Sequence, residues 1–345
     1  MGQTSSSQQR EHVLIDRFNR RINYLRISIT DRCNLRCVYC MPKEGVSFLG
    51  HKDILSYEEI LRIVNAAVNA GIIKVRVTGG EPLVRRGVTD FLASLTKVEG
   101  LRDISLTTNG ILLEDHAEEI FNAGIGRINV SLDSLSPDKY RDITRGGDIN
   151  KVIRGIQKAH DTGFSPIKIN VVAIKGFNDN EIIDFAKLTI DKPYQIRFIE
   201  FMPIGDSALE NSLGYLSNDK IIKKINSFSP LKPLIPTRRD RADGPACLYT
   251  MKDAMGKIGF ISAMSHEFCS SCNRLRLTAD GHLRACLLSD EPATDLKTPL
   301  RDGCTNSELE TLIRDLISRK PGGYKINCQQ THRRKCATNM SSIGG

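Results

Sequence analysis

The stretch DRCNLRCVYC, residues 31–40, decides how this chain is read. It places Cys33, Cys37 and Cys40 within eight residues, with no fourth cysteine nearby. A structural zinc site takes four ligands, usually as two close pairs. Three thiolates instead suit a metal centre with one position kept open. On a four-iron cube they leave one iron free for a small ligand. A zinc site completed by His51 fits poorly, because His51 lies outside the usual ligand spacing. Buried structural thiols fit less well still, because Arg32 and Arg36 are interleaved with the cysteines.

Working outward, NYLRISIT (23–30) alternates Leu25, Ile27 and Ile29 and reads as a strand that delivers the cysteine loop. SYEEILRIVNAAVNAG (56–71) reads as a helix, with Ser56 and Glu59 as a capping box and Gly71 as its stop. Strand and helix patterns then alternate through IIKVRVTGGEP, RGVTDFLASLTKVEG, DISLTTNG, LEDHAEEIFNAG, RINVSLDS, INKVIRGIQKAHDTG, PIKINVVAIKG, NDNEIIDFAKLTID and YQIRFIEFMP. Six strands in this pattern predict a parallel sheet with right-handed crossovers. Six units are too few to close an eight-fold barrel, so the expected fold is an open, partial (β/α)6 TIM-type barrel. Its active face lies at the C-terminal ends of the strands, where polar and glycine-rich residues gather.

After about residue 205 the pattern breaks. SNDKIIKKINSF reads as a helix, 229–246 as a loop, KIGFISAM as a strand, and RLRLTADGHLRACL as a hairpin turning at Asp280-Gly281. TNSELETLIRDLISRK reads as a helix stopped by Pro321 and Gly322, and the irregular end runs to Gly344-Gly345. The expected organisation is a disordered tail over 1–15, a barrel core over 16–228, and a C-terminal extension over 229–345 with further cysteines.

The composition narrows the classes. The net charge of +9 permits an anionic ligand, but no tryptophan and no long basic run mark a nucleic-acid surface. No apolar run approaches the ~20 residues of a membrane span, and the polar opening MGQTSSSQQR lacks a signal core. Ten cysteines without an export signal point to a reducing, cytoplasmic setting in which clustered thiols hold metal. A homodimer is compatible with the sequence.

A second trio, Cys269, Cys272 and Cys286, has the spacing C-x₂-C-x₁₃-C. Cys304 would complete a zinc ribbon, which is the alternative reading from spacing alone. Arg274 and Arg276 follow directly, either as a solvated strand face or as nucleotide contacts at a basic site.

The first trio, with Tyr39 before its last cysteine, resembles the signature of the radical S-adenosylmethionine (SAM) superfamily, and GGEP (79–82) strengthens the match. CSSCNRLRLTADGHLRACL, together with LRISITDRCNLRCVYCMP, VRVTGGEPLVR, LTTNG, INVSLDSL, KINVVAIKGFND, RFIEFMPIG and the terminal IGG, resembles a narrower family, the GTP 3′,8-cyclases of molybdenum cofactor biosynthesis. The likeness runs from about residue 16 to 345. It implies two four-iron clusters, on Cys33, Cys37 and Cys40 and on Cys269, Cys272 and Cys286. It further implies SAM contacts at Tyr39, Gly80, Ser131 and Met202, and GTP contacts at Arg26, Arg76, Thr107, Lys168, Arg274, Leu275 and Arg276. Gly344 and Gly345 are implied to enter the active site. The implied chemistry removes hydrogen from C3′ of GTP, joins C3′ to C8, and needs an external electron donor. A radical SAM peptide or protein modifier is the alternative enzyme, and a zinc-stabilised nucleic-acid binder the alternative from another class. The tail departs from the family pattern at Tyr324, Cys328 and Cys336, while Cys247 and Cys304 read as ordinary thiols.

Overall fold

The computed structural model describes residues 13–202, 214–228, 231, 233–237, 244–288, 292–323 and 343. Its barrel elements are β1 (Tyr24–Ser28), α1 (Tyr57–Ala70), β2 (Lys74–Thr78), α2 (Val88–Thr96), β3 (Asp103–Thr108), α3 (Leu113–Asn122), β4 (Ile128–Ser131), α4 (Pro137–Thr144), α5 (Ile149–Thr162), β5 (Ile167–Lys175), α6 (Ile182–Asp191) and β6 (Gln195–Glu200). There follow β7 (Gly214–Tyr215), α7 (Asn218–Ser227), β8 (Ile235–Pro236), β9 (Cys247–Thr250), β10 (Lys257–Ile261), β11 (Arg274–Leu277), β12 (His282–Arg284), β13 (Thr294–Asp295), α8 (Lys297–Arg301) and α9 (Asn306–Ser318). The capping box forms as expected: Glu59 N donates to Ser56 Oγ at 3.1 Å and Ser56 N to Glu59 Oε2 at 2.7 Å. Gly71, at φ 124°, then ends α1.

The six expected strands lie side by side in chain order, all parallel. The pattern does not simply stop there. β11 adds in parallel to β1, and β10 in parallel to β6, so the extension supplies one more parallel strand at each side. The full order is β13-β12-β11-β1-β2-β3-β4-β5-β6-β10-β9-β8, which leaves the barrel open. Periodicity within each segment could not reveal these partners, because β11 and β10 belong locally to a hairpin and an antiparallel pair. The segment 229–246, read as a loop, contains the two-residue β8 among its described residues.

Alternation sorts the two faces of the sheet. Leu25, Ile27, Val75, Val77, Leu106, Ile128, Val130, Ile167, Ile169, Ile196, Phe198, Leu275 and Leu277 are buried in one core with α1–α7 and α9 residues such as Ile60, Ile63 and Ile313. Each such aliphatic burial contributes about 1.5–3 kcal/mol. The opposite, inward positions are polar. Arg26 registers with Arg76 on one side and Arg276 on the other, and Arg76 with Ser105. Thr107, Asn129, Lys168 and Gln195 form a second row, and Ser131, Asn170 and Arg197 a third. A helix-flanked parallel sheet reads as apolar on both faces only when its interior is packed. Here the interior is instead built to hold a polar guest. Among the described residues no helix is long and apolar enough to cross a membrane.

Candidate active site

A cavity of about 310 Å³ occupies the barrel interior, and both cysteine trios line it. None of the described cysteines, these six included, is joined in a disulfide. Among the described residues no three Cys, His, Asp or Glu side chains converge on a point suited to a single metal ion. A four-iron cube, which takes each thiolate on a different iron, does not require that convergence. The His51 alternative is disfavoured by position, since His51 is exposed and outside the cavity. Cys304 likewise packs against the main core rather than beside Cys269, Cys272 and Cys286.

The first loop is pinned from below. Gly80 N donates to Thr30 O at 2.7 Å and Glu81 N to Arg32 O at 2.8 Å. A Cβ on Gly80 would collide with the Arg32 carbonyl, so only glycine allows this approach next to Cys33. On its other side the loop is held by α4, through Arg36 N to Thr144 O at 3.1 Å and Val38 N to Ile143 O at 2.9 Å. Leu35 N and Asn109 Nδ2 donate to Cys33 Sγ at 3.4 and 3.8 Å, bonds that would tune a bound cluster. Burial pushes the Cys33 thiol up to about 11, and burial with the neighbouring thiols raises Cys37 and Cys40 as well. Iron must therefore displace protons from this trio. Gly80→Ala is expected to store about 1–3 kcal/mol of overpacking strain under the loop and to weaken SAM binding roughly tenfold or more. Isothermal titration checks this, and wild-type SAM affinity would show that the loop absorbs the methyl group.

Tyr39 reaches the cavity with its hydroxyl donating to Asp133 Oδ2, while Asp133 Oδ1 accepts from Val172 N at 2.8 Å. Burial raises the Asp133 carboxyl to about 6. Gly80, Ser131 and Met202 line the same cavity, so the structure brings all four expected SAM contacts together.

The second trio is anchored differently. Glu200, fully buried at the end of β6, accepts from Met264 N and Ser265 N, both at 2.8 Å, and so fixes the approach to Cys269. Arg20 donates to Cys269 O at 2.8 Å and Pro321 O at 2.6 Å, while its Nε donates to Asp16 Oδ2 at 2.6 Å. Burial pushes the Cys272 thiol up, but the Arg274 and Lys320 charges outweigh it and bring it down to about 7.

Of the expected GTP contacts, Arg26, Arg76, Thr107, Arg274 and Arg276 line the cavity. Burial, followed by the Arg276 charge, lowers Arg26, while burial takes Lys168 down to about 6 with Arg197, Arg127 and Arg76 adding to it. Lys168 lies in the middle row of the sheet, 3% exposed and outside the cavity wall. The Leu275 side chain turns away into the core, which leaves only its backbone for the site. Gly344, Gly345, Tyr324, Cys328 and Cys336 lie outside the described residues. Ile343 is described: it is buried against Met202, Leu287 and Leu288, three residues of the cavity wall.

Sequence reasoning missed Tyr24, Asp133, Asn170 and Arg197, all of which line the cavity. The signal was present as parity, since Lys168 and Asn170 on β5, and Gln195 and Arg197 on β6, are polar residues that alternate with apolar ones. The Tyr24 hydroxyl, Thr107 Oγ1 and Asn170 Oδ1 are buried without a hydrogen-bond partner among the described residues. Such groups carry a desolvation cost that a polar ligand relieves.

An open parallel barrel whose first strand delivers three thiols over a glycine-floored loop defines a radical SAM enzyme. The model of the radical SAM superfamily matches residues 27–189, and that of Molybdenum Cofactor Synthesis C matches residues 194–326. The chain is 48% identical to a GTP 3′,8-cyclase of Pelotomaculum thermopropionicum, with 96% of this chain and 99% of the relative covered. It is 49% identical to one of Thermodesulfovibrio yellowstonii, with the same coverage. This chain belongs to the GTP 3′,8-cyclase family. Among solved structures, Streptococcus suis SuiB bound to S-adenosylmethionine is similar at a TM-score of 0.56 and 13% identity, over 85% of this chain and 69% of that one, a likeness of fold.

Proposed function

We infer that this protein converts GTP to (8S)-3′,8-cyclo-7,8-dihydroguanosine 5′-triphosphate, the first step towards molybdopterin. The carrying observation is the placement of two cysteine trios and a set of arginines around one cavity. When bound and reduced, the first cluster supplies the electron that splits SAM into methionine and a 5′-deoxyadenosyl radical. Cys33, Cys37 and Cys40 would hold that cluster, with Tyr39, Gly80, Ser131 and Met202 orienting SAM. Cys269, Cys272 and Cys286 would hold a second cluster beside the guanine. Arg26, Arg76, Arg274 and Arg276, with the Leu275 backbone, would neutralise a triphosphate of about four negative charges. Thr107 and Asn170 offer it unpaired hydrogen-bonding atoms. The chain's main task is to orient the ribose C3′ and exclude water. The cation density suits a nucleotide better than the peptide of the alternative reading. We place the enzyme in the cytoplasm, served by a one-electron donor.

Anaerobic incubation with GTP, SAM and dithionite, followed by mass analysis, tests this reading; unchanged GTP beside cleaved SAM would overturn it.

A further inference from the structure

Lys320, two residues beyond α9, is 1% exposed and does not line the cavity. Its ammonium donates to Arg274 O at 2.9 Å and also to Ala285 O. Arg274 stands two positions after Cys272, and Ala285 immediately precedes Cys286. One side chain therefore ties together the two strand ends that carry two of the three thiols. The next residue, Pro321, is fastened by Arg20, which also holds the Cys269 carbonyl.

The two cations differ in how their charge is met. Arg20 is paired with Asp16 at 2.5 Å. Burial works most strongly against the Lys320 charge; the Cys272 and Cys286 sulfurs favour it, and Arg20 and Arg274 oppose it. A buried ammonium is expensive unless a negative centre compensates it. Two carbonyl dipoles do so in part; a cluster on three thiolates would complete the compensation.

We propose that Lys320 is a positioning residue for the second cluster: it fixes the separation of the Cys272 and Cys286 strands and serves as the cluster's buried counter-charge. This rests on the assignment of Cys269, Cys272 and Cys286 as cluster ligands. A fixed positive charge in a low-dielectric setting stabilises the electron-rich form of a cluster, so it raises the reduction potential. The effect is local, because the first trio is held by the Gly79-Gly80 turn and α4 rather than by Lys320.

The test is potentiometric titration of the full-length holoenzyme, followed by electron paramagnetic resonance, with the second cluster assigned by its loss in Cys269→Ala. Lys320→Gln keeps a donor but removes the charge, and Lys320→Arg keeps the charge. The Gln variant is expected to lower the second cluster's potential and leave the first unchanged, with the Arg variant near wild type. Should the Gln variant lose the second cluster, the proposal requires the Arg variant to retain it. A Gln variant with both clusters and a wild-type potential overturns the counter-charge. Loss of the cluster in both variants overturns it too, leaving only a structural tie. Wild-type protein with about four irons instead of about eight would remove the ligand assignment itself, a failure that iron analysis distinguishes before any potential is read.

Discussion

Cys33→Ala is expected to abolish SAM cleavage, whereas Cys269→Ala should preserve it while abolishing cyclisation. The two trios line one cavity but are held by separate parts of the fold. Cys33 lies over the Gly79-Gly80 turn against α4, and Cys269 is fixed through Arg20 and the Glu200-held loop. Losing a ligand in one trio therefore leaves the geometry of the other intact. Each loss removes a reaction component instead of weakening a contact, so product should fall by more than about a thousandfold in both variants. Measuring 5′-deoxyadenosine and nucleotide product side by side separates them. Cyclisation by Cys269→Ala at a substantial rate would show that the second trio is not part of the chemistry.

Arg26→Met is expected to move affinity and stability in opposite directions. Arg26 is half-buried between Arg76 and Arg276 in register, and desolvation followed by the Arg276 charge disfavours its protonated form. Replacing it with an apolar side chain of similar length relieves that repulsion, so the ligand-free chain should unfold at a higher temperature. The same change removes a charged hydrogen-bond donor from the nucleotide, worth roughly 1.5–3 kcal/mol, or about 10- to 150-fold in GTP affinity. SAM affinity should change little. A lower unfolding temperature together with weaker GTP binding would mean that Arg26 supports the fold and is not strained for its ligand.

Local chemistry was legible where one short segment contains it. The capping box of α1, the β12 hairpin turn with Gly281 at φ 88°, the six strands and both trios could all be read in place. What stayed hidden depends on partners distant in sequence. Nothing in RLRL says that it pairs with YLRI, and nothing in KIGFI says that it pairs with QIRFI. The site followed the same rule: Arg26, Arg76 and Arg276 carried recognisable motifs, while Arg197 and Asn170 became visible only once the strand parity was fixed against neighbours. Lys168 and Leu275 show the converse, since a strand position alone does not say whether a side chain reaches the cavity.

The strand order also sets a timetable for biogenesis. β1 emerges from the ribosome early, yet its outer neighbour is β11, and Asn23 meets Asn273 across 250 positions of chain. β6 likewise waits for β10. Contacts of such separation are costly to close and form late. A nascent chain thus holds the first cysteine trio while two seats beside the barrel stand bare, each a row of unpaired backbone groups. Messages truncated before residue 257 would yield polypeptides with both seats permanently open. Open edges of that kind template pairing with other chains, so such fragments are expected to self-associate.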